Sequence, residues 1–90
     1  MTHHIITRDH VRATVRSHWA DILEIEEGEI NDSSHFFSDG GDSLLAVELS
    51  AAISDEFQAE VPVDLLFMDA GFSAFCEAVA GTLSDTGVTA

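Results

Sequence analysis

The chain has 90 residues, with 17 Asp and Glu against 3 Arg and no Lys, for a formal net charge of −14. That length holds one domain with a thin core, because a chain this size buries only roughly 60–65% of the surface it exposes when unfolded. Apolar residues are 46% of the chain, too many for a disordered tail, and so acidic a surface argues against nucleic-acid and membrane-surface binding and for a basic partner.

The N-terminus, Met1 to Arg8, has no continuous apolar stretch and is not a signal peptide. The longest apolar run, Leu65-Leu66-Phe67-Met68, is far short of a membrane span. Cys76 is the single cysteine and cannot form an internal disulfide. A cytoplasmic, reduced protein is expected. The sequon Asn31-Asp32-Ser33 is a chance match in a protein without a secretion signal.

Spacing predicts a first helix from about Arg8 to Ile25. Val11, Val15, Trp19 and Ile22 lie on one face, with Thr7 as N-cap and Asp9 in the first turn. Arg8, Arg12 and Arg16 form another stripe. It reads as a solvated face partly neutralised by neighbouring acids, or as a docking stripe for an acidic partner. From Glu26 to Asp42 the pattern disappears into Gly, Asn, Asp and Ser. Seventeen residues without structure are unusual in a small domain, so the loop is expected to be functional or pinned by its own side chains, with Phe36-Phe37 as the pin.

A second helix is predicted from Ser43 to about Phe57. Leu45, Leu49, Ile53 and Phe57 make its core stripe, with Ala52 beside it. Leu44, Val47 and Ala51 lie on an adjacent face, either part of a broad buried side or an exposed patch for a partner. Val61-Pro62 ends that region. Asp64 is a candidate cap for a short third helix to Met68 or Asp69, and Gly71 breaks it. Phe72, Phe75, Val79 and Leu83 mark a last helix to about Ser84. Nothing alternates like a strand. The fold class expected is all-α: three main helices, one short helix and a long first loop. The single domain spans 1–90, with ends frayed at about 1–6 and 85–90.

Most catalytic chemistries fail on spacing. His3, His4, His10, His18 and His35 show no ligand spacing with Cys or carboxylates, so solvated histidines and no metal are expected. Asp39-Gly40-Gly41-Asp42 lacks the alternating ligands of a calcium loop. Gly41-Asp42-Ser43-Leu44-Leu45 lacks the strand and final glycine of a hydrolase elbow. Cys76, beside the Phe72–Phe75–Val79 stripe, reads as a small, partly buried side chain.

One constellation remains, Phe36 to Leu45. It sets a serine hydroxyl at the first turn of a helix, after a double glycine that leaves room for another protein. First-turn amides are unpaired and suit a phosphate. No His or Lys neighbours Ser43 to activate it. Ser43 therefore reads either as a serine modified by another enzyme or, with Asp42, simply as an N-cap.

Trp19-Ala20-Asp21-Ile22-Leu23, Phe36-Phe37, Gly40-Gly41-Asp42-Ser43-Leu44, Val47-Glu48-Leu49 and Val61-Pro62-Val63 ahead of Leu66-Phe67 occur in order over about two thirds of the chain. Together they resemble the thiotemplate carrier proteins, the acyl and peptidyl carrier family. That resemblance implies a four-helix bundle that is not itself an enzyme. It implies that Ser43 receives phosphopantetheine from coenzyme A through a magnesium-dependent phosphopantetheinyl transferase. The arm's thiol would then carry an acyl or aminoacyl group as a thioester.

Gly40-Gly41 and Leu45-Ala46 look like peptidyl carriers of nonribosomal peptide assembly. The acidity and Val47-Glu48-Leu49 look like polyketide and fatty acid carriers. Ala70-Gly71-Phe72 departs from the peptidyl pattern, and Gly71 has no side chain to cap with, so a looser or shifted last helix is expected there.

The chain begins at a methionine without a flanking catalytic domain, so a free-standing, monomeric, peptidyl-carrier-like protein for antibiotic-type biosynthesis is expected. Its partners would be adenylating or acyl-loading, tailoring and condensing enzymes with basic docking surfaces. Leu44 and Met68 would form the apolar docking centre, with Val47 on the same face and Asp42 and Glu48 as its acidic rim. Phe67 fits either that centre or the core. The alternatives are a discrete acyl carrier protein, or a helical interaction module without a prosthetic group.

Overall fold

The computed structural model describes residues 7–85, with side chains for 7–83. Helix α1 spans Arg8–Leu23, α2 Ser43–Phe57, α3 Asp64–Met68 and α4 Phe72–Asp85. Apart from Asp85, which ends α4, the expected frayed ends lie outside the described residues. Among the described residues no helix is long and apolar enough to cross a membrane.

Thr7 caps α1 as expected, its Oγ1 accepting from His10 N at 3.0 Å. The helix ends at Glu24, which turns left-handed at φ 58. α1 packs against both α2 and α4, and α3 packs against α4. The predicted stripes meet in one core: Val11, Val15 and Trp19 of α1, Leu49 and Ile53 of α2, and Phe72, Phe75, Val79 and Leu83 of α4 are all buried. Trp19 sits at its centre, edge-to-face with Phe36 and Phe72 at 5.2 and 5.3 Å. Leu45 and Phe57, at the ends of the α2 stripe, are only partly buried.

Four expectations need correction. The first loop is not structureless. Glu27–Glu29 form a 3-10 turn, with Glu29 Oε2 accepting from Glu26 N at 2.9 Å. Asp64 does not cap α3: the backbone is already helical at Val63, so Asp64 is the first helical residue and no side chain caps the helix. His18 is not merely solvated, because its Nε2 lies 3.1 Å from Glu56 Oε1 across the α1–α2 seam. Cys76 is buried rather than partly so, at 2% exposure.

The arginine stripe is partly neutralised by neighbouring acids, as the solvated-face reading expects, and it also makes contacts that this reading does not describe. Arg16 Nη1 donates to the carbonyl oxygens of Glu27 and Ile30. Arg12 pairs with Asp32, and both guanidinium groups lie over the Phe72 ring at 5.2 and 5.0 Å. Arg8 pairs with Glu77 of α4. The three cations of the chain thus hold α1 to its own loop and to α4.

Candidate functional site

The first loop delivers Ser43 through contacts on both sides. On one side it is tied to the segment before α4: Phe36 N donates to Ala70 O at 2.9 Å, and Phe72 N donates to Ser34 O at 2.8 Å. His35 and Gly71 thereby form an isolated antiparallel bridge. This pairing also settles the start of α4. Gly71 N donates to Asp69 Oδ1 at 3.0 Å, which steadies the approach to the helix, and α4 begins at Phe72 with Phe75 N donating to Gly71 O at 2.9 Å.

On the other side the loop closes on itself. Asp39 N donates to His35 O and Gly41 N to Phe36 O, both at 2.9 Å. Gly40 takes φ +117, which favours glycine, and a side chain there would meet nothing within 4 Å. Gly41 is needed for a different reason, since an added Cβ would lie 2.4 Å from the Phe36 ring. Asp42 then caps α2, its Oδ1 accepting from Leu45 N at 2.9 Å. Ser43 is the first helical residue and is exposed. Both open readings of the pair are resolved as to the cap, which Asp42 makes alone, so Ser43 Oγ is not needed for it.

The residues expected at a docking surface are all exposed. Leu44 at 67% and Met68 at 81% lead the large exposed apolar side chains, with Val47 and Phe67 beside them. Asp42, Glu48 and Ala51 are exposed as well. The Leu44–Val47–Ala51 face is therefore not part of the core. Phe67 is not a core residue either, but its ring stacks on Phe37 at 6.0 Å with 7° between the planes. Sequence periodicity missed that contact, because α3 is too short to show a stripe and Phe37 lies in a loop.

Among the described residues, His18 and His35 engage Glu56 and Ser38 rather than Ser43. Among the described residues no three His, Cys, Asp or Glu side chains gather as metal ligands. Burial pushes the Cys76 thiol up to about 12, against the opposing pull of Arg12 and Arg16. The Arg12 guanidinium is raised in turn, chiefly by its hydrogen bond to Asp32.

An exposed hydroxyl on a helix start, with open space over Gly40, fits a serine that another enzyme modifies. A family model described as a phosphopantetheine attachment site matches residues 13–79. The chain belongs to this family of thiotemplate carrier proteins. Its members carry phosphopantetheine and do not themselves catalyse. That decides against a helical interaction module without a prosthetic group.

A stretch of bacitracin synthase 3 from Bacillus licheniformis is 47% identical over 49 residues, 54% of this chain. The chain spans about 1% of that relative's length. A free-standing peptidyl carrier protein from Acinetobacter baumannii is similar in structure, with a TM-score of 0.78, 24% identity, and coverage of 88% of this chain and 99% of that one. The HMG-ACPI domain of the CurA module from Lyngbya majuscula also has a TM-score of 0.78, at 22% identity over 97% of this chain and 90% of its own. At such identities these two likenesses show the fold, an all-α four-helix bundle.

Proposed function

We propose that Ser43 is the phosphopantetheine attachment residue and that the chain is a free-standing peptidyl-carrier-like protein of nonribosomal-peptide-type biosynthesis, acting in the cytoplasm. The carrying observation is the exposed Ser43 hydroxyl, left free of capping by Asp42 and reached over Gly40. Ser38 is exposed too but precedes the glycines, and Ser50 is buried at 4% exposure, out of a partner's reach.

In the modifying step Ser43 Oγ attacks the coenzyme A phosphorus nearer the pantetheine. The pyrophosphate P–O bond breaks, the adenosine bisphosphate half leaves, and the serine proton passes to the transferase. When attached, the arm supplies a thiol that holds an acyl or aminoacyl group as a thioester. The chain's own residues present that arm. Leu44, Val47 and Met68 offer an apolar docking centre, and Asp42 and Glu48 an acidic rim that a basic enzyme surface complements. The charge of −14 supports action in trans, where steering of diffusing partners matters most. The 47% likeness to a peptide synthase stretch favours an aminoacyl cargo over the fatty or polyketide acyl alternative.

The test is intact mass after incubation with coenzyme A and a phosphopantetheinyl transferase, followed by fragment-ion mapping. One arm is expected on Ser43, and none on the Ser43→Ala variant, which should melt within about 1 kcal/mol of the parent because Asp42 keeps the cap. An arm on Ser38 would refute the assignment. Loading of the holo protein by an acyltransferase but by no adenylating enzyme would transfer it to the acyl carriers.

A further inference from the structure

We propose that Phe37 is a positioning residue, whose ring holds α3 so that Phe67 and Met68 face partners in a fixed place relative to the Ser43 turn. This rests on the attachment reading above. A continuous series of ring contacts leads from the core to that surface. Trp19 meets Phe36 edge-to-face at 5.2 Å, Phe36 meets Phe37 edge-to-face at 5.5 Å, and Phe37 stacks on Phe67 at 6.0 Å. Phe36 also lies directly under Gly41. The same pair of loop residues therefore touches the turn before Ser43 on one side and α3 on the other.

α3 needs such an anchor. It has five residues, too few to be stable alone. It lacks a side-chain cap, and its amides bond at 2.9 to 3.4 Å to the carbonyls of Pro62, Val63 and Leu65. Leu66 is its only buried side chain, fixing one side against the core. Leu65 and, just before the helix, Val63 also pack against the core but stay partly buried, so these aliphatic contacts seat one side of α3 and leave the side that carries Phe67 to be held from elsewhere. The near-parallel, offset stack on Phe37 opposes a roll of the helix about its own axis, because the edges of two parallel rings part when either plane tilts. Phe67 and Met68 are neighbours on the same turn, so a roll that loses Phe67 also re-aims Met68. Phe37 itself is only partly buried, which makes it a poor candidate for a residue kept solely to fill the core.

The experiment uses the full chain with Phe37→Ala, Phe37→Tyr and Phe67→Ala. Two readouts are taken: amide hydrogen exchange across the helices, and KM and kcat for the transferase with coenzyme A. Phe37→Ala should speed exchange at Leu66, Phe67 and Asp69 by about tenfold while α1 amides and Trp19 fluorescence stay as in the parent. It should raise KM about three- to tenfold with kcat within about twofold, and Phe37→Tyr should restore both. Phe67→Ala removes an exposed ring and so keeps the fold, and it should give the same α3 exchange change. Unchanged α3 exchange in both alanine variants overturns the proposal. So does a Phe37→Ala protein whose α1 and α3 amides loosen together, since Phe37 would then be a core residue. A parent protein that takes no arm on Ser43 would defeat the attachment reading instead, and the exchange data would still decide the role of Phe37.

Discussion

Gly41 lies against Phe36 so closely that a methyl group on its Cα would stand 2.4 Å from the ring and 2.8 Å from the Phe36 carbonyl oxygen. Phe36 has nowhere to go, being fully buried against Trp19. Gly41→Ala is therefore expected to destabilise the domain by about 1–3 kcal/mol, the usual cost of overpacking. For a domain this size each kcal/mol lowers the melting temperature by roughly 4–8 °C. Gly40→Ala meets open space but keeps a positive φ, and about 1 kcal/mol of backbone strain is expected. Thermal melts of the two variants check the order. Equal, negligible losses would show that the turn can relax away from Phe36.

Arg16 and Arg12 should behave differently although they share a stripe. Arg16 bonds two main-chain carbonyls and is partly buried, so Arg16→Gln should cost about 1.5–3 kcal/mol, with little dependence on salt. Arg12 pairs with the well-exposed Asp32, so Arg12→Gln should cost less than about 1 kcal/mol, and that loss should shrink as salt rises. Urea melts at low and high salt separate the two.

This is also where the sequence was silent. Spacing at three and four residues located α1, α2 and α4 and their core stripes, because each stripe repeats within its own element, whereas α3 was legible only from Val61-Pro62 before it and Gly71 after it. The partners of Arg16 lie 11 and 14 residues away in a loop without periodicity. The Phe37–Phe67 stack joins a loop to a single helical turn. Asp69, which steadies Gly71, lies in a stretch readable only as a break. Such long-range contacts depend on where helices cross, which local pattern does not encode. The glycines and Asp42 before Ser43 were legible, since turn and cap chemistry is local. The reason for Gly41 was not, because it depends on Phe36 folding back beneath it.

Met68→Ala should weaken turnover by partner enzymes and leave the melting curve nearly unchanged, because the side chain is 81% exposed. Glu48→Lys should instead slow association, most at low salt. Stopped-flow association rates and steady-state KM distinguish the two. A large stability loss in Met68→Ala would place that residue in the core and remove it from the docking surface.

Cys76 should stay unreactive in the folded protein. Its buried thiol is raised to about 12 from an ordinary 9.0, so it is neutral near pH 8 and shielded from reagents. Native labelling with a maleimide is expected to mark the arm thiol of the holo protein and nothing on the unmodified one. The raised value also sets a pH dependence. Above about pH 9 the unfolded thiol ionises while the folded one keeps its proton, so stability should fall as pH rises toward 12, by at most about 1.4 kcal/mol per pH unit. Cys76→Ala should flatten that alkaline slope. Rapid labelling of native Cys76 at pH 8 would contradict the burial.

Two main-chain hydrogen bonds, Phe36 N to Ala70 O and Phe72 N to Ser34 O, close a ring of chain that contains the whole of α2 and α3. Ser43 lies inside that ring. Its turn therefore depends on residues made much later in synthesis, and on α4 to bury Phe72 and Phe75 against Trp19. On the attachment reading, a polypeptide truncated by premature termination before α4 lacks the finished turn and is expected not to compete for the transferase with the completed carrier.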